Sequence, residues 1–484
     1  MLKRFAVGAF VVALVSSGAQ AQDAAATIAA VQKAMGAEAV TSITYSGTAA
    51  NGNFGQSKTI AGPLQVTAIT AYTRAIDLSQ PYSRATGPTQ PPTIPGAPPP
   101  APGTFNQGIA PTATWAQQIE IWITPWGFLK GAAANNATVR PQRIAGKYTV
   151  LQWSPAQKSP SGKPYTLVGY VNDQNLIDRV ETWIEHPVMG DLHVEATYGN
   201  YQDFGGLKVP TTILQKRAGL QTFQATITKA TANPPNIAEL LQPPPPAGGR
   251  AGAPGAPAPG AAPPAPPAVQ SEKLADGVFR ITGGYVALAV EFKDHVVVLE
   301  GGQPEARGLA VIAETKRLFP NKPIRYVVNT HPHFDHSGGL APFAAEGITI
   351  VTHANNRAFL EKGLGGPRTL VGDALAKSAR KPKIEGVGDK RVLKDDTQTV
   401  ELHHVKGLEH SDGMLIAFLP KERILFTGDF NVPAAGQAVS PAIKTLVDNT
   451  ERLKLDFERH VTVHAPTPDR PLTKADLLAL LKGS

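Results

Sequence analysis

The spacing of apolar residues divides the chain into two stretches with different rhythms. In the first, residues 24–35 carry a short helical pattern closed by Gly36. Strand-like runs follow, separated by Gly, Pro and Asn turns, at 42–46, 67–77, 118–123, 148–153, 165–171, 176–185, 192–198, 208–216 and 222–230. Within 118–123, Ile119, Ile121 and Ile123 alternate with Glu120 and Trp122, the period of a half-buried antiparallel strand. A helix followed by a meander of strands predicts a mainly antiparallel β domain built around one large curved sheet.

After Ser271 the rhythm changes. Strands are predicted at 278–282, 287–292, 295–300 and 324–329, with a helix at 306–318 that closes before Pro320. Strands at 348–352, 400–404, 414–419, 424–426 and 461–463 then alternate with helices at 354–362 and 443–454. This alternation predicts an α/β layered architecture.

Two Pro-rich stretches interrupt these patterns. Residues 87–103 read as a long exposed loop. Residues 243–267 are almost only Pro, Ala and Gly, too poor in large apolar side chains to fold, and predict an extended linker. The N-terminus adds a further segment: Lys3 and Arg4, a short apolar run at 5–15, and Ala19-Gln20-Ala21 at the cleavage positions of an export signal. The expected organisation is a signal peptide at 1–21, a mainly β domain at 22–240, a linker at 241–270 and an α/β domain at 271–484. The expected location is periplasmic or secreted. No later apolar run has the length of a membrane span, so no transmembrane segment is expected in the mature chain.

Composition narrows the chemistry. The formal charge of +8 is spread over 484 residues, which argues against a nucleic-acid partner and leaves a small molecule as the expected substrate. The chain has no cysteine, so disulfides, thiolate ligands and cysteine nucleophiles are excluded. Any metal site must use His, Asp and Glu, which suits Zn, Mn or Fe.

One motif dominates the candidate chemistry. His331-Pro332-His333-Phe334-Asp335-His336 follows the apolar strand at 324–329 and puts four donors into one short loop. Such a loop can present two donors to each of two metal ions. Three of the chain's 12 histidines stand in these few positions, more than a merely solvated loop accounts for. Further ligands are needed, and three single residues near later strand ends are candidates: His410, Asp429 and His464.

In this order the residues resemble the metallo-β-lactamase-fold superfamily of metallohydrolases. Residues 330–339 look like its signature loop, and His410-Ser411, Thr427-Gly428-Asp429 and His464 stand where its later ligands fall. The resemblance covers about 276–465 and implies an αββα sandwich. It implies two zinc ions, with Fe or Mn as alternatives: His331, His333 and His410 for the first, Asp335, His336 and His464 for the second, and Asp429 bridging. It further implies hydrolysis of a small ester, lactone, thioester or related bond, with Asp335 orienting the attacking water or passing a proton. A β-lactamase, a phosphodiesterase or nuclease, and an iron-dependent oxygenase are the alternative activities of this fold.

The sequence departs from that pattern in two places. The early strand ends in Glu300-Gly301-Gly302 rather than Asp-x-Gly, and His464 is not flanked by glycines, which leaves His460 as a fallback. Elsewhere, residues 203–210 resemble the strand connection of periplasmic lipoprotein-carrier half-barrels. That resemblance implies a lipid- or partner-binding role for the first domain, and in a non-enzymatic reading it would sit beside a vestigial hydrolase. His353 is a candidate neighbour of the site. The basic stretch at 356–390 offers Arg357, Arg368 and Arg380 as anion contacts or as a solvated face.

Overall fold

The structure is a computed structural model, in which residues 11–92, 102–140, 148–243, 268–433 and 439–482 are described, with side chains from residue 23 onward. The expected linker therefore lies almost wholly outside the described residues, as do residues 1–10 of the expected export signal. Among the described residues, no helix is long and apolar enough to cross a membrane. The chain forms two compact units.

The first unit comprises Met1–Gly52, Val66–Glu185 and Leu192–Pro264. It is built on one largely antiparallel sheet of 11 strands, in which Ser42–Gly52 pairs both with Val66–Asp77 and with the last strand, Leu220–Ala232. A helix, Val11–Met35, ends at Gly36 with φ +64° and buries Val31 and Met35. The connection at 203–210 is a two-residue hairpin: Phe204 pairs with Leu207, and Gly205 and Gly206 both take positive φ.

Two local expectations are corrected here. Residues 118–123 are not a strand but most of the helix Trp115–Trp122. Trp115, Gln118, Ile119 and Trp122 also fit a helical stripe, and Glu120, Ile121 and Ile123 are buried as well, so both periods were present. Thr114 decides the matter as a start signal: its backbone N–H donates to Gln117 Oε1 at 3.3 Å, three residues into the helix. Residues 87–103 are likewise not all loop. The strand Tyr82–Gln90 continues through Pro88 and pairs with Gly103–Ile109, which leaves 93–101 outside the described residues. Gly103–Ile109 is one edge strand of the sheet, and Pro88 in its neighbour pairs with Thr104.

The second unit comprises Ala265–Ser484 together with two short segments from far earlier in the chain, Asn53–Gln65 and His186–Asp191. Both segments fall inside the range expected for the first domain. They are part of the second unit's core: Ile60 and Val188 are buried among Val298, Val311, Phe343 and Leu360. Arg368 donates to the carbonyls of Pro187 and Val188, and the Asp191 carboxylate accepts from the backbone of Thr369 and Leu370.

This unit is an α/β sandwich of the expected αββα kind. A seven-stranded sheet and a six-stranded sheet face one another. Alternation along Val296–Leu299 shows the layering: Val296 and Val298 pack against helices, while Val297 and Leu299 enter the layer between the sheets. There they meet Val400, Leu402, Leu415, Ala417 and Phe426 of the second sheet. On the far side, Ile416, Phe418 and Leu425 bury against Ile443 and Leu446 of the helix Pro441–Arg452.

Strand register brings the site together. Ile424–Thr427 runs parallel to Arg459–Thr462 with Thr427 opposite Thr462, so Asp429 and His464 each lie two residues past the same level. Val296–Leu299 runs parallel to Ile324–Val328 with Leu299 opposite Val328, which delivers Glu300 beside the loop that begins at Asn329. Loops at such strand ends are held by a rigid sheet.

Candidate metal centre

All seven sequence-predicted ligands converge. His331, His333, His410 and Asp429 form one group, and Asp335, His336, Asp429 and His464 form a second. Within each group the ligand atoms lie within 4.8 Å of one another, and Asp429 belongs to both. His331, His333 and His336 are fully buried, whereas the side chains of His410 and His464 are about a third exposed (31% and 32%). The open edge of the centre therefore lies at these last two residues.

Hydrogen bonds set which ring nitrogen faces the centre. His333 Nε2 is 3.1 Å from the carbonyl oxygen of Ser57, which can only accept, so the ring proton sits there and Nδ1 turns inward. His336 Nδ1 is 3.2 Å from Glu300 Oε2 and donates to it, leaving Nε2 inward. Thr330 Oγ1 donates its one proton to the same Glu300 oxygen at 2.6 Å and so accepts from His331 Nδ1 at 3.2 Å. Glu300 thus orients one histidine of each group, one directly and one through Thr330. Its remaining oxygen accepts the N–H of Gly301 at 3.0 Å, and its backbone takes φ +73° to reach these positions.

This donor set fits metal ions. His331 Nε2 lies 3.0 Å from His333 Nδ1 and 3.2 Å from His410 Nε2, so lone pairs face one another across a buried space. Asp429 Oδ1 is buried and makes no hydrogen bond of acceptable geometry, although His336 Nε2 is 2.7 Å away. A cation among these atoms would satisfy such an arrangement. In the metal-free protein, protons fill part of that role. Burial drives His331 well below its ordinary value and takes His333 down to about 4. Burial alone would lower His336 and His464 too, but Asp429 and Asp335 reverse it, raising His336 well above normal and His464 to about 9. The same partners hold both carboxylates well below the usual range against the opposing effect of burial.

Residues 280–452 match the family model described as the metallo-beta-lactamase superfamily. The C-terminal domain belongs to that superfamily. The 2,4-dinitroanisole O-demethylase subunit alpha of Nocardioides sp. (strain JS1661) is 24% identical over 198 residues, or 40% of this chain. The chain spans about half (54%) of that relative's length. Among solved structures, the metallo-beta-lactamase from Pontibacter korlensis is similar at 18% identity, covering 45% of this chain and 100% of that one with a TM-score of 0.35. DIM-1 metallo-beta-lactamase is similar at 14% identity, covering 45% and 96%, with a TM-score of 0.34.

Other histidines of this superfamily domain stand outside both ligand groups. The fallback ligand His460 is buried against Thr427 Oγ1 at 2.8 Å, and it is His464 that enters the cluster. His353 caps the helix Ala354–Gly365 by accepting from Asn355 N, and its ring stacks on His404 at 4.0 Å. Arg368 is buried on Asp373, and Arg357 pairs with Glu361 on its own helix. Three contributors were not assigned from sequence: Glu300, noted only as a departure, and Gln56 and Ser57. Gln56 Nε2 donates to Asp335 Oδ1 at 2.6 Å, across 279 positions, and no local pattern announces it.

Proposed function

We propose that the protein is an exported dinuclear zinc metallohydrolase that cleaves a small ester, lactone, thioester or related bond. The observation that carries this reading is the pair of nitrogen and oxygen donor groups sharing Asp429, largely buried at strand ends and most open beside His410 and His464. Five histidines and two carboxylates suit zinc, with iron or manganese as the alternatives. Two such metals, when bound, polarise a substrate oxygen and make water acidic enough to be a nucleophile near neutral pH.

The chain's own residues supply the rest. Asp429 turns Oδ2 toward His410 at 3.0 Å and Oδ1 toward His336 and His464 at 2.7 and 3.0 Å, the arrangement of a bridging ligand. Asp335 Oδ1 is held by Gln56, while Oδ2 faces His336 and His464 at 3.4 and 3.5 Å, so the ionised carboxylate is positioned within the second group to orient the attacking water. The partly exposed edge at His410 and His464 admits a small molecule. Export rests on the charged, apolar and small-residue pattern of positions 3–21.

Elemental analysis of the purified mature protein, before and after chelation, tests this reading. About two zinc per chain supports it and justifies a panel of esters, lactones, thioesters, β-lactams and phosphodiesters, with 2,4-dinitroanisole added because of the O-demethylase relative. About one iron per chain would replace it with the oxygenase reading, and no metal after reconstitution would overturn it.

A further inference from the structure

Two ligands of the centre, one in each group, are held from outside the C-terminal sequence by adjacent residues. The carbonyl of Ser57 fixes the ring of His333, and the side-chain amide of Gln56 fixes Asp335. Ser57 is itself buried (1% exposed) and Gln56 half-buried. We infer that the segment Asn53–Gln65 is a working part of the metal centre, with Gln56 and Ser57 as positioning residues that prepare one ligand of each donor group. This rests on the metal-centre reading above and goes beyond it.

The segment is seated firmly. Phe334, between the ligands His333 and Asp335, donates its N–H to the carbonyl of Gly55 at 3.1 Å, and its ring meets Phe54 edge-on at 5.1 Å. Gly55 has φ +81°, and a Cβ there would stand 2.0 Å from Phe334 Cδ2, so no other residue fits this approach. Further along, Asp412 N donates to the carbonyl of Lys58 at 3.0 Å, Thr59 Oγ1 donates to the Asp412 carboxylate at 2.9 Å, and Lys58 pairs with Glu409 at 2.7 Å. The segment therefore ties the loop bearing His331–His336 to the loop bearing His410. It is braced internally as well: Ser57 Oγ donates to the carbonyl of Asn53, and Asn53 Nδ2 to that of Gln56.

The physical consequence is a prepaid arrangement of ligands. With its Nε2 proton committed to Ser57, the His333 ring can offer Nδ1 to a metal without rotating or changing tautomer. With Oδ1 committed to Gln56, Asp335 presents Oδ2 to the second group. Such outer partners of metal ligands are worth roughly 10–100-fold in metal affinity.

The test is chelator competition for zinc on the full-length protein, with thermal melting of the chelated form and the visible spectrum of the cobalt-loaded form. Gln56→Leu keeps the size but removes the amide. It should weaken one of two zinc sites by about tenfold or more and alter the cobalt spectrum, while the chelated protein still melts in one cooperative transition. Gly55→Ala forces the segment away from Phe334 and should weaken both sites. Unaltered zinc affinities in both variants, with two zinc bound to the parent, would overturn this inference alone. A parent protein that binds no zinc would overturn the metal-centre reading and this inference with it.

Discussion

Glu300 Oε2 stands 3.2 Å from His336 Nδ1, and the residue that makes this contact is fully buried with its backbone at φ +73°. Non-glycine residues in that region of backbone space carry a cost of order 1–3 kcal/mol and persist where the surroundings impose them. Here the surroundings are five donors: the hydroxyl and the amide of Thr330, the His336 ring and the amides of Gly301 and Gly302. The Glu-Gly-Gly departure from the family's Asp-x-Gly is therefore where the carboxylate that orders both donor groups is found.

Replacing Glu300 with Gln leaves one acceptor oxygen and adds an N–H facing these donors. The expected result is metal affinity lower by about 10–100-fold, felt at both groups because Thr330 relays the same carboxylate to His331. Chelator competition measures it. Equal affinities in Glu300→Gln and the parent would show that Glu300 only packs.

His333 belongs to the first group alone. His333→Ala should cut bound zinc from about two to about one per chain and abolish nearly all turnover, because the second group keeps its four donors. Elemental analysis checks the count, and normal activity in this variant would sink the assignment.

A fragment beginning at Ala265 looks like a free-standing domain in sequence, yet it lacks Ile60 and Val188, both buried in its core. Each such apolar side chain contributes roughly 1.5–3 kcal/mol when buried. The fragment should melt well below the full-length protein or express insolubly, and it should bind zinc more weakly. A soluble fragment with the parent's melting temperature and zinc affinity would contradict this.

The raised histidines give a pH signature to the metal-free protein. His464 is held at about 9 and His336 is also raised, both from an ordinary value of 6.5. Groups raised on folding stabilise the fold below their unfolded value and lose that contribution as pH climbs through the folded one. The chelated protein should therefore lose melting temperature between about pH 6.5 and pH 9. Zinc displaces the same protons, so its affinity should rise across that window. A chelated melting temperature that stays flat over this range would contradict the assigned charges.

The parts of the centre that were legible in sequence are local ones. His331 to His336 lie in one loop, Asp429 and His464 closely follow apolar strands, His410 lies between two, and their order along the chain matches the family's. The helix Trp115–Trp122 was misread because its isoleucines satisfy a strand period while its Trp and Gln residues satisfy a helical one. Burial on nearly every side removes the contrast that normally separates the two.

Local spacing thus determined most strand-loop units of the C-terminal domain and, together with the family resemblance, its candidate ligands, since donor type and strand period are properties of neighbouring residues. Tertiary structure alone decided which nitrogen of each ring faces the centre, that Glu300 serves both groups, and that residues 53–65 complete the site. Those relations join atoms up to 279 positions apart, and packing places them there with no sequence period to announce them.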